Sequence, residues 1–129
     1  MRFFWENDWD KLDLAVSSEA VGFSVKNTQH RWKTWAWRSI GCAAESIAGL
    51  WPAGEPQPRA LIIGSHNLSP GASVQLSLYT GSSTPAYRAL LTRAQLYDPI
   101  VHYPPLFADT ITSVELAFYD PANPAGYLE

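Results

Sequence analysis

Histidine, serine and carboxylate are the side chains best equipped for acid–base, nucleophilic or metal chemistry, and their spacing in this 129-residue chain is the first thing to weigh. The three histidines, His30, His66 and His102, are widely separated, and none lies three or four positions from another, as a local metal motif would require. His66 stands in Gly64-Ser-His-Asn-Leu-Ser-Pro-Gly71, directly after an apolar run. A polar loop at a strand end can hold a ligand. Alternatively Ser65, His66, Asn67 and Ser69 hydrogen-bond the backbone of a tight turn, with Gly71 supplying a positive φ, and this structural reading is the expectation. Ser-His-Asp catalysis needs a serine within reach of an imidazole that a carboxylate orients. The chain has no Gly-x-Ser-x-Gly elbow and no glycine-rich phosphate loop ahead of a helix. No catalytic residue, metal or cofactor is therefore expected, and the chain reads as a non-enzyme. Glu6, Asp8, Asp10 and Asp13 cluster as calcium ligands do, yet without the loop glycine of an EF-hand, and they read as a solvated acidic arm.

The densest feature is His30-Arg-Trp-Lys-Thr-Trp-Ala-Trp-Arg-Ser39, in which three tryptophans interleave with Arg31, Lys33 and Arg38. Such mixtures stack bases, bind sugars or anchor protein interfaces. In a strand, Trp35 and Trp37 fall on one face and Ala36 and Arg38 on the other, which favours packing for Trp35 and Trp37 and exposure for Trp32. Twelve acidic against nine basic residues give a formal charge of −3, without the basic excess that counterion-releasing nucleic-acid contacts need. Only 16% of residues are charged, against roughly 25% in an average soluble domain. Six Trp, six Tyr and five Phe add ring surface, a composition suited to covering a face against a partner.

The lone Cys42 forbids an internal disulfide and a thiolate zinc cage. No stretch approaches the roughly 20 apolar residues of a membrane helix. The opening residues mix Trp5 and Trp9 with Glu6, Asp8 and Asp10, so an unexported protein without membrane insertion is expected.

The elements that must position these residues are short. Ten prolines and eight glycines cluster between brief apolar runs. Leu12, Leu14 and Val16 alternate with polar or small residues, as do Val74, Leu76 and Leu78 within 73–79 and Val114, Leu116 and Phe118 late in the chain. Each is the period of a half-buried strand. Ile111 is out of phase with the last set, predicting a bulge or a strand start near Thr112 and Ser113. The apolar run within 59–64 reads as a strand covered on both sides and as the central one. Position favours a strand over Ala43 to Leu50, although its Ala and Glu content also suits a helix. Leu90, Leu91 and Ala94 predict a helical turn or two within Tyr87 to Leu96, and Pro99, Pro104 and Pro105 predict no regular structure until about residue 107. Short strands with Gly/Pro turns and almost no helix predict an all-β antiparallel sandwich over 12–129, preceded by an arm at 1–11.

Four segments then resemble one recurring class. They are Ser17-Ser-Glu-Ala-Val-Gly-Phe-Ser-Val-Lys-Asn27, Thr34-Trp-Ala-Trp-Arg-Ser39, Leu61-Ile-Ile-Gly-Ser-His-Asn-Leu-Ser-Pro-Gly-Ala72 and Asp120-Pro-Ala-Asn-Pro-Ala-Gly-Tyr-Leu-Glu129. In order and spacing, over most of the chain, they are similar to bacteriophage tail proteins that carry a galactose-binding-like (discoidin-type) jelly roll. The resemblance implies a jelly-roll sandwich in which Arg38 and Ser39 follow the Trp on a strand. It also implies that His66 and Asn67 form a structural turn, and that Asp120, Asn123, Gly126 and Tyr127 form a closing loop. In that class another strand follows the closing loop, so the resemblance implies that the last strand is absent, lies in a partner, or belongs to a longer chain of which this sequence is part. The segment Gly49 to Pro58 stands where discoidin-type domains carry "D-L-G", so no sugar or lipid pocket is carried over.

What the resemblance implies about function is a non-enzymatic virion protein of the tail tip or baseplate, made in the host cytoplasm and present in several copies per particle. It would dock on neighbouring tail proteins, and Phe3, Phe4, Trp5 and Trp9 are the expected partner surface. The alternative is a carbohydrate-binding module for a host surface glycan, with Arg31 and Trp32, or His102 and Tyr103, as its platform.

Overall fold

The computed structural model describes residues 8–29, 36–54, 60–64, 66–92, 100–105, 107 and 110–129. Phe3, Phe4, Trp5, Arg31, Trp32 and Trp35 lie outside them. Strands follow the chain as β1 (Asp13–Val16), β2 (Glu45–Leu50), β3 (Leu61–Ile63), β4 (Ser73–Tyr79), β5 (Tyr87–Thr92), β6 (Ile100–His102) and β7 (Ser113–Tyr119). Two 3-10 turns, Asp8–Lys11 and Val25–Gln29, are the helical pieces among the described residues. The chain is thus mostly β with little helix. One antiparallel sheet has five strands in the order β1-β2-β7-β4-β5, and β3 pairs antiparallel with β6 beside it.

Alternation decides which face of the large sheet is dry. Ile47 and Gly49 of β2, Val114, Leu116 and Phe118 of β7, and Val74, Leu76 and Leu78 of β4 are buried, while their sequence neighbours are more exposed in all but one case. The exception is Ser77, which is only 2% exposed although it lies on the outer face. Against the inner face pack Trp37, Leu68, Ile111 and Leu128 from loops, Val25 from the second 3-10 turn, and the half-buried Leu61, Ile63 and Phe107.

Several expectations are corrected. The central strand is β7, flanked by β2 and β4, and not the run at 59–64. That run supplies the three-residue β3, whose one strand partner is β6 and whose Ile62 is 48% exposed. A short apolar run has the same signature whether it is covered on both faces or lies in a small strand pair with one side open. Tyr87 to Thr92 is strand, not helix: pairing with β4 turns Tyr87, Ala89 and Leu91 inward and Arg88 and Leu90 outward. Tertiary pairing there overrides helical spacing. The prolines do not exclude structure before residue 107. Pro99 and Pro104 bracket β6, leaving room for its three residues. The strand start expected near Thr112 and Ser113 is found at Ser113, and Ala43 to Leu50 contains β2.

Gly49 stands opposite Leu14 in the β1–β2 ladder, close to the Leu12 side chain that leads into β1. A Cβ at this position would meet Leu12 Cδ1 at 2.8 Å and Leu14 Cδ2 at 3.2 Å. Gly49→Val is therefore expected to lower stability by about 1–3 kcal/mol through overpacking. Urea denaturation checks this, and an unchanged midpoint would mean that Leu12 and Leu14 yield freely.

Candidate functional site

The four segments that carry the family resemblance are far apart in sequence and meet in space. Arg38 and Ser39 lie beside the chain end. The Ser39 amide donates to the Leu128 carbonyl (3.0 Å), and the Leu128 amide donates back to Ser39 Oγ (2.8 Å). On the other side of that end, the Asn67 amide donates to the Glu129 carbonyl (3.1 Å) and the Glu129 amide to Asn67 Oδ1 (2.8 Å). Residues 128–129 are thereby held between segments that lie 60 to 90 positions upstream. Asn67 Nδ2 also donates to the Tyr127 carbonyl at 2.9 Å.

Asp120 is the polar centre of this clasp and is 1% exposed. It sits one residue past β7, and its amide donates to the Cys42 carbonyl (2.9 Å). Its carboxylate accepts from the Ser69 amide (2.8 Å), from Ser69 Oγ and from Asn123 Nδ2 (3.0 Å). Asn123 extends the network: Nδ2 also reaches the Asn67 carbonyl (3.0 Å) and Oδ1 accepts from the Ala125 amide (2.9 Å). Gly126, at φ 74°, lets the chain turn back toward Tyr127.

Arg38 closes the clasp on its wetter side. Its Nε and Nη2 both donate to Glu129 Oε2, at 2.9 and 2.6 Å. The guanidinium lies between two rings, 4.0 Å from the centroid of Phe23 and 4.3 Å from that of Tyr127. Trp37 is buried, 6.0 Å from Phe118 by ring centroid, and donates Nε1 to the Ser18 carbonyl (3.1 Å). The first segment is bound to the second through Ala20 to Arg38 (2.7 Å) and Arg38 to Phe23 (3.2 Å) backbone bonds.

His66 Nδ1 accepts from the Leu68 amide at 3.3 Å, a contact of the turn-forming kind. Gly71 does not adopt the positive φ expected of it; among the described residues Gly22, Gly54, Gly81 and Gly126 do. The turn closes by Ala72 donating to Ser69 (3.1 Å), and with Pro70 as its first central residue a negative φ at the next position is an allowed form.

His102 is engaged with Tyr87, whose hydroxyl lies 2.9 Å from Nε2 and whose ring stacks at 5.9 Å, while Phe107 meets Tyr87 edge-on. Tyr103 is 54% exposed. Trp9 is half-buried against the core; its Nε1 donates to Thr28 Oγ1 (2.8 Å), and its carbonyl accepts from Gln29 (2.9 Å). The arm is therefore tied to the domain at Trp9.

Sequence reasoning missed Glu45, placed Ser69 in a turn without its bond to Asp120, and quoted Phe23 and Glu129 within motif segments without assigning them a role. Glu45 is nearly buried and accepts from Ser17 Oγ, Ser18 Oγ (2.6 Å) and the Gly41 amide (3.2 Å). The "S-S-E" and "R-S" motifs flank this cluster but do not signal it.

The outer face of the five-stranded sheet carries a different set. Asp13, Leu50, Ser113 and Tyr79 form one cross-strand row, and Ala15, Ala48, Glu115, Ser77 and Arg88 the next. Tyr79 donates its hydroxyl to Glu115 Oε2 at 2.8 Å. That hydrogen bond, reinforced by burial, pushes the phenol above its ordinary pKa and keeps it a neutral donor. Leu50, Leu90 and Tyr119 are exposed on this face.

Among the described residues no three His, Cys, Asp or Glu side chains gather as a metal site would need, and no helix is long and apolar enough to cross a membrane. No protein-family model, curated protein or solved structure matches the chain.

Proposed function

We propose that this chain is a non-catalytic structural domain of a bacteriophage tail tip or baseplate, a galactose-binding-like jelly roll that docks on neighbouring tail proteins in several copies per particle. The observation that carries the reading is the clasp. Of the residues on which the resemblance rests, Arg38, Ser39, Asn67, Asp120 and Asn123 direct their polar groups to one another, to Ser69 and Glu129, and to the backbone, that of Tyr127 included. They hold a scaffold together, and Asp120, Asn123 and Ser39 are too buried to meet a substrate. Apolar and ring-bearing side chains face outward among polar ones: Leu50, Leu90 and Tyr119 on the sheet, and Ile62 and Tyr103 on the strand pair and its continuation. Exposed rings and aliphatic side chains of this kind suit separate anchors against other subunits.

Phe3, Phe4 and Trp5 are the proposed anchors beyond the domain. Trp9 already serves the core, so the informative deletion stops short of the 3-10 turn that carries it. Removing residues 1–7 is expected to leave the thermal midpoint nearly unchanged and to abolish incorporation into particles, read by quantitative mass spectrometry of purified virions. Particles of normal composition from this variant would overturn the docking role of the arm.

A further inference from the structure

We draw no further inference here: the strongest candidate, the outer edge of β5 at the end of the five-stranded sheet beside the exposed Leu90, has no strand partner among the described residues, and nothing in the structure shows what covers it.

Discussion

Replacing Asp120 with alanine is expected to lower stability by about 3 kcal/mol, because three donors lose their acceptor around a buried carboxylate, at about 1–3 kcal/mol for each that water cannot reach. Those donors are the Ser69 amide, Ser69 Oγ and Asn123 Nδ2, and together they join the loop after β3 to the closing loop after β7. Asp120→Asn is the informative partner variant. Its amide oxygen can accept from the Ser69 and Asn123 nitrogens while its NH2 donates to Ser69 Oγ, so the three contacts survive without charge assistance and the half-buried Ser69 hydroxyl turns its proton elsewhere. A loss of about 1 kcal/mol is expected for it, from the difference between charged and neutral hydrogen bonds. Chemical denaturation of both variants checks the order. If the alanine variant were no less stable than the asparagine variant, the clasp would not be holding the fold.

Trp37→Ala should cost about 3–5 kcal/mol, the range for emptying a buried aromatic site. The indole packs against Phe118 of the central strand and holds the Ser18 carbonyl, so its loss leaves both a cavity and an unmet acceptor. Trp37→Phe keeps most of the volume and loses the hydrogen bond, and it should retain the larger part of the stability. Measured by thermal and urea unfolding, near-equal effects of the two substitutions would place the energy in the hydrogen bond and not in the packing. Against a typical domain stability of about 5–15 kcal/mol, either alanine variant is expected to leave a marginal fold.

How much of this was legible depends on whether the signal is local. The alternation of Val74, Leu76 and Leu78 and of Val114, Leu116 and Phe118 is local, and β4 and β7 lie where it predicts. The position of a strand within a sheet is not local. An apolar triplet at 61–63 looked central and lies in the two-stranded pair, because burial on the second face comes from partners the run does not specify. Edge strand β5 was read as helix because Leu90, Leu91 and Ala94 share helical spacing, while the partner that makes it a strand, β4, is outside that window. At the site, the identity of the motif residues was legible and their convergence was not. The Arg38–Glu129 contact spans 91 positions and Ser69–Asp120 spans 51, so no periodicity could pair them.

The central claim is that this domain is a structural subunit of a phage tail, working through its outer surface while its motif residues hold the interior. Cryo-electron microscopy of intact particles containing the chain tests that most directly. The account predicts density for the domain at the tail tip or baseplate, with the outer face of the five-stranded sheet and the opening aromatic residues covered by neighbouring proteins and the Asp120 clasp enclosed within the domain. Purified particles that lack the chain, or that hold it with that face and those rings bare to solvent, would contradict it.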